Sequence, residues 1–278
     1  MGWMMDQYSI IQRAITPGVV TGKPISMGGS QARETATSVG AFQVINTLLP
    51  KFDQSPERTT VAVQGFGNVG GMLAQLLSQV GYRVVAVSDS QGGIYAQQGL
   101  DIPSIRRYKM TSRSLQAVYC ESSVCNIVER EVISIPELLT LDVDVLIPAA
   151  LENQITIKNA NQIQAKYIFE VANGPIASGA DVILDQKGIQ VFPDILVNAG
   201  GVTVSYFEWV QNRSGLYWTS EEVNQRLKER MTMETEKNWA IAQEFGVSMR
   251  TAAYIHALNR LGEAMDAKGT RDYFRSSE

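Results

Sequence analysis

The first residues whose spacing could do chemistry are three glycines in one short segment, Gly65-Phe66-Gly67-Asn68-Val69-Gly70. The apolar run Val61-Ala62-Val63 precedes them, and a helical stretch to about Val80 follows. In that setting each glycine has a physical task. Gly65 permits a tight strand-to-helix turn, Gly67 lets a diphosphate reach backbone N–H groups, and Gly70 lets the helix lie close to the sheet. A helix start adds orphan N–H donors and a partial positive charge, both suited to phosphate. Asp89 ends the next apolar run, Arg83-Val84-Val85-Ala86-Val87. It stands about twenty residues beyond the last glycine, where a carboxylate can accept hydrogen bonds from ribose hydroxyls. Loop and acid together predict a dinucleotide site. The acid disfavours a 2′-phosphate, so the pattern leans to NAD, with NADP the less favoured cofactor. Taken singly, the glycines could mark only a turn and Asp89 only a strand end. Their agreement with the strand before and the helix after favours binding.

These residues need a sheet to carry them. Short apolar runs recur at Val143-Asp144-Val145-Leu146-Ile147, Tyr167-Ile168-Phe169-Glu170-Val171 and Gln190-Val191-Phe192. Helical patterns separate most of them, around residues 136–141, 159–164 and 177–187. Strands alternating with helices predict an α/β fold: a Rossmann-like, doubly wound parallel sheet with flanking N-terminal and C-terminal helices. Residues 3–14 read as a helix, and residues 16–29 are loop, rich in Gly and Pro. Apolar residues at three- and four-residue steps predict a second helix over 34–49, ended by Pro50. Residues 220–267 read as helical and free of strands, with Ser220 as cap and Gly246 as a break. The expected division is an N-terminal helix, loop and connecting helix over 1–46, a dinucleotide-binding domain over 47–212 and C-terminal helices over 213–278.

Composition narrows the partners. The 278 residues are 45% hydrophobic and 19% charged, with a net charge of −4. No basic run invites nucleic acid, and no apolar stretch reaches membrane-spanning length. The N-terminus lacks the basic and apolar segments of a secretory signal. Cys120 and Cys125 match no zinc spacing and read as two reduced thiols of a cytoplasmic protein. With His256 as the single histidine, placed in a helical stretch, neither a metal site nor a histidine-based triad is expected.

Beyond the glycine loop the chain resembles the glutamate dehydrogenases, relatives of the leucine, valine and phenylalanine dehydrogenases. The likeness rests on Thr21-Gly22-Lys23-Pro24, on Gly28-Gly29-Ser30 with Arg33 and Ala36-Thr37, and on Gln64 through Gly70. It continues through Ala172-Asn173-Gly174-Pro175, Pro193-Asp194 and the long block Asn198-Ala199-Gly200-Gly201-Val202-Thr203-Val204-Ser205-Tyr206-Phe207-Glu208-Trp209. It runs from Gly2 to about Ala264. The resemblance implies that Asn68 and Val69 touch the pyrophosphate and that Thr37 and Asn198 hold the nicotinamide carboxamide. Asn173 would sit at the substrate end of the cofactor, Ser205 on the substrate's side-chain carboxylate, and Arg33 beside the cleft. The implied small-molecule substrates are glutamate and 2-oxoglutarate. An assembly of like chains is left open.

Four positions depart from the family's usual pattern: Ala32, Ser38 and Val171 stand where it has Gly, and Ile176 where it has Thr. Side chains added beside a cofactor could restrict its approach. The family's catalytic lysine and aspartate lie in a Gly- and Lys-rich segment and a Pro-Ala-Pro-Asp segment, and neither occurs in this sequence. Lys23 belongs to the Thr-Gly-Lys-Pro loop and is a poor substitute. No catalytic residue is therefore assigned, and the chain is expected to be the cofactor half of an amino-acid oxidoreductase, inactive alone. A stand-alone nucleotide-binding or regulatory module is the alternative, and a decayed gene product a third.

Overall fold

The computed structural model describes residues 1–112, 115, 118–121, 124–127 and 131–268. Helix α1 (Gly2–Gln12) buries none of its residues, and a loop carries the chain to α2 (Ala36–Leu48). The apolar run before the glycines forms β1 (Thr60–Gln64), followed by α3 (Asn68–Gln79) and β2 (Arg83–Asp89). Next come β3 (Gly92–Tyr95), α4 (Ile102–Ser112), and the strands β4 (Val118–Glu121), β5 (Val124–Ile127) and β6 (Glu131–Ile133). Helix α5 (Ile135–Leu139) leads into β7 (Val145–Pro148), β8 (Tyr167–Phe169), α6 (Ser178–Gln186) and β9 (Gln190–Phe192). Helices α7 (Asp194–Val197), α8 (Gly200–Ser214), α9 (Ser220–Phe245) and α10 (Met249–Ala267) close the chain.

The main sheet has seven strands in the order β6-β3-β2-β1-β7-β8-β9. Pairings from β2 across to β9 are parallel, so helical crossovers cover both faces as expected. Alternate residues feed two cores. Val61, Val63, Val145, Ile147 and Phe169 face α2, α3 and α9 through Ile45, Leu48, Leu73, Leu77 and Met231. Ala62, Leu146 and Ile168 face α5 and α6 through Leu138 and Leu184. The sheet is not wholly parallel: β3 pairs antiparallel with β2, and β6 antiparallel with β3. A tight turn at Ser90-Gln91 sends the chain straight back beside β2, so no crossover separates them. Because β2 runs on one side of β1 and β7 on the other, the strand order reverses at the C-terminal end of β1. That is where ligands bind in open α/β sheets.

Two boundaries differ from the sequence reading. The cap of α9 is Thr219, one residue before Ser220, because its hydroxyl accepts Glu222 N–H while the Glu222 carboxylate accepts Thr219 N–H. The stretch 159–164 forms only a short 3-10 turn, Ala160–Gln162. The break at Gly246 is real, its φ of 60° being the left-handed value that glycine accepts most readily. Among the described residues no helix is long and apolar enough to cross a membrane, and no cluster of side chains suits a metal ion. The side chains of Cys120 and Cys125, and with them the thiol expectation, lie outside the described residues.

Asp144 fastens the starts of three central strands. Its Oδ2 accepts Thr60 N–H and Thr60 Oγ1–H, both at 2.8 Å. Its Oδ1 lies 2.8 Å from Lys166 Nζ, and its carbonyl accepts Tyr167 N–H at 2.9 Å. Partial burial raises the Asp144 pKa, but the bonds from Lys166 and Thr60 outweigh it and hold the carboxyl below its ordinary value. The stability this depression confers is present above the usual aspartate pKa of about 4 and is lost as pH falls through the lower folded value. Asp144→Ala is expected to cost about 2 kcal/mol near neutral pH, a deficit that narrows at about pH 3; urea denaturation at both values checks it.

Candidate functional site

The glycine loop has the shape its sequence implies. Gly65 has φ of 97°, and Gly65 N–H and Phe66 N–H both donate to the Ser88 carbonyl, at 2.9 and 2.6 Å. A Cβ on Gly65 would meet the Ala149 carbonyl oxygen at 2.7 Å, and one on Gly70 would fall onto the Gly65 carbonyl oxygen. A Cβ on Gly67 would have nothing within 4 Å among the described residues. So Gly65 and Gly70 are glycine because backbone packs against them, whereas Gly67 faces open space. The first loop-closing helical bond of α3 is donated by Gly71 to the Gly67 carbonyl. The N–H groups of Asn68, Val69 and Gly70, which precede it, are helix-start donors beside that space.

Asp89 stands at the tip of β2 as expected, and its carboxylate is already engaged. Oδ1 accepts Gln91 N–H at 2.9 Å, and Oδ2 lies 2.9 Å from Lys109 Nζ on α4. Lys109 Nζ also sits 5.7 Å from the Phe66 ring centroid, so the glycine loop, the acid and this cation form one corner. The sequence reading missed Lys109, because pairing across elements leaves no local signal. Arg106, one turn before it, is committed elsewhere, to Met72 Sδ and Gln75 Oε1 on α3.

The remaining candidate residues converge on a second hollow. Thr37, Asn173, Asn198, Arg33 and Ser205 line it with Thr21, in a volume of about 480 Å³. Asn198 Nδ2 donates to Asn173 Oδ1 at 2.7 Å, and Arg33 Nε to Ser205 Oγ at 3.1 Å. The Ser205 hydroxyl donates to the Gly201 carbonyl at 3.1 Å. Helices α2 and α8 set this spacing. They cross backbone to backbone, where a Cβ on Gly40 would lie 2.7 Å from Gly200 Cα. One turn away, a Cβ on Gly201 would lie 2.6 Å from Thr37 Oγ1. Neither contact could be made with a larger residue present.

The departures prove structurally specific. Ala32 has φ of 59°, a left-handed value that costs a non-glycine residue about 1 kcal/mol. Ser38 is fully buried and its hydroxyl donates to the Val69 carbonyl at 3.0 Å. That side chain therefore ties α2 to the glycine loop. Val171 lines the second hollow, and Ile176 pairs with Ile155 in an isolated bridge away from it. Lys23 is buried, with Nζ 2.5 Å from Glu208 Oε1 and 2.6 Å from the Val20 carbonyl. His256 Nε2 lies 2.7 Å from Glu234 Oε2, on α10 and α9.

Residues 28–269 match the Glutamate/Leucine/Phenylalanine/Valine dehydrogenase family. The chain belongs to that dehydrogenase family. Among its relatives in the family, an NADP-specific glutamate dehydrogenase of Synechocystis sp. is 68% identical over all of this chain and 65% of that protein. A catabolic NAD-specific glutamate dehydrogenase of Bacillus subtilis is 43% identical, over 97% of this chain and 61% of that protein. The fold superposes on a hetero-hexameric glutamate dehydrogenase from Thermus thermophilus, in its Leu-bound form, with a TM-score of 0.84 at 35% identity. That match covers 96% of this chain and 61% of the other. The chain thus spans less than two thirds of the length of these dehydrogenases.

Proposed function

We propose that this chain is the dinucleotide-binding part of a glutamate dehydrogenase, competent to hold NAD(P) and to orient its nicotinamide, and dependent on a further domain for turnover. One observation carries the reading. Among the described residues lining the 480 Å³ hollow, Arg33 alone is ionisable; the rest are amides, hydroxyls, Val and Gly. Such a lining can fix a carboxamide and a carboxylate but cannot shuttle protons. Lys23, tied to Glu208, cannot serve as the base. The open space at Gly67 and the free helix-start donors fit a diphosphate. A bound nicotinamide would supply hydride transfer; Thr37 and Asn198 would hold its carboxamide, and Ser205 with Arg33 would face the substrate carboxylate. Exposed apolar residues on α1, including Trp3, Ile10 and Ile11, support completion by further polypeptide. Assembly with like chains is part of the same reading.

The purified 278-residue chain is expected to bind NADH or NADPH in a fluorescence titration and to give no glutamate-dependent reduction of NAD or NADP. Failure to bind either would overturn the dinucleotide assignment. Turnover by the chain alone would overturn its dependence on a partner domain.

Asp89 alone favours NAD, but Lys109 offsets its charge at 2.9 Å and offers a cation to a 2′-phosphate. We therefore widen the cofactor to both dinucleotides. Lys109→Ala is expected to weaken NADPH about fivefold more than NADH, roughly the worth of one partly screened ion pair. Titrating both cofactors against the variant checks it.

A further inference from the structure

A chain of charged groups runs from the C-terminal helix to the rim of the second hollow. Arg250, in the first turn of α10, places NH1 2.9 Å from Glu170 Oε2 and Nε 3.0 Å from Asp181 Oδ2. Its NH2 donates to Asp181 Oδ1 at 3.0 Å, and NH1 lies 3.9 Å from Asp194 Oδ1. Glu170, just past the end of β8, is fully buried; its Oε2 also accepts Asp194 N–H at 3.0 Å, and its Oε1 has no partner among the described residues. Asp194 passes the connection on. Its Oδ2 accepts Gly174 N–H at 2.8 Å, and its carbonyl accepts Asn198 N–H at 3.0 Å. Gly174 follows Asn173, whose Oδ1 accepts from Asn198 Nδ2. Both asparagines of the hollow therefore hang from Asp194, and Asp194 is held by Glu170 and Arg250.

We propose that Arg250 is a positioning residue for the nicotinamide end of the site, acting through Glu170 and Asp194 on the Asn173–Asn198 pair. The inference rests on the dinucleotide reading given above. A carboxylate as deeply buried as Glu170 stays ionised only with a cation against it. Burial already pushes the Glu170 carboxyl above its ordinary value and Arg250 works against that push, so removing Arg250 favours the protonated form. Its oxygen then becomes a donor or a weaker acceptor, Asp194 N–H loses its anionic partner, and α7 no longer has one fixed start. The turn at Gly174 and the Asn198 amide move with it. The glycine loop and Asp89, at the other end of the cofactor, take no part in this chain.

That asymmetry gives the test. ADP-ribose carries the adenosine and diphosphate but no nicotinamide, so it reports the glycine-loop end alone. In the 278-residue chain, Arg250→Met is expected to raise the Kd for NADH or NADPH about tenfold while the Kd for ADP-ribose stays within about twofold. Arg250→Lys, which keeps one charged contact to Glu170, is expected to recover most of the lost affinity. Should Arg250→Met not fold, as judged by circular dichroism, Asp194→Asn carries the same comparison: Gly174 N–H donates to Oδ2 and Ile195 N–H to Oδ1, and an amide keeps an oxygen at only one of those places. Equal losses for both ligands, or no loss for the dinucleotide in a folded variant, would overturn the assignment. If the unaltered chain binds ADP-ribose but no dinucleotide, this inference fails while the glycine-loop site stands. If it binds neither, the dinucleotide reading fails and takes the inference with it.

Discussion

Replacing Glu208 with leucine is expected to destabilise the chain by about 3–5 kcal/mol, the cost of leaving a buried cation without its partner. Lys23 and Glu208 have side chains with no solvent exposure, and their contact is 2.5 Å. Glu208 also accepts Gly22 N–H at 2.9 Å and Lys23 N–H at 3.3 Å, so one carboxylate anchors the N-terminal loop to α8. Lys23 retains only the Val20 carbonyl once Glu208 is gone. The double variant Lys23→Met/Glu208→Leu is expected to recover much of the loss, because two apolar side chains remove the desolvation cost with the pair. Urea denaturation of the single and double variants decides it. A single variant within about 1 kcal/mol of the parent would mean that water reaches the ammonium.

The glycine loop yields a sharper contrast, because its three glycines are glycine for different reasons. Gly67→Ala is expected to leave stability within about 0.5 kcal/mol, since the new methyl meets nothing within 4 Å and φ is −87°. On the dinucleotide reading the same methyl would stand where a diphosphate approaches the N–H groups of α3, and dinucleotide affinity is expected to fall about a hundredfold, roughly 2.7 kcal/mol. Gly70→Ala should do the reverse in order of severity: its methyl falls onto the Gly65 carbonyl, so the helix must move off the strand and the fold loses about 2–4 kcal/mol before any ligand is added. Thermal melts paired with fluorescence titrations separate the two. A stable, folded Gly67→Ala chain that still binds at parental affinity would remove the diphosphate from this loop.

How far the sequence could be read depended on whether a feature was local. Val61 to Gly70 and Arg83 to Asp89 signalled two strands, a turn and a helix because apolar runs and glycines are adjacent in the chain. The hairpin formed by β2 and β3 escaped, since Gly92-Gly93-Ile94-Tyr95 is too short and too rich in glycine to show alternation. Family likeness carried Thr37, Asn173, Asn198, Arg33 and Ser205 to their positions, and the structure brings all five to one hollow. Nothing in sequence announced Lys109 against Asp89, Arg250 against Glu170 or Ser38 against the Val69 carbonyl, because each joins elements far apart in the chain. Ser38 is the instructive case. A side chain in place of glycine reads as an obstruction, yet its hydroxyl gives the loop an added anchor.

The Gly40–Gly200 crossing has a consequence for energetics. At the Gly40–Gly200 crossing main chain meets main chain with no side chain between them, so that one contact between α2 and α8 has nothing to repack. With backbone in contact there, α2 and α8 are expected to move together in any opening or closing of the hollow.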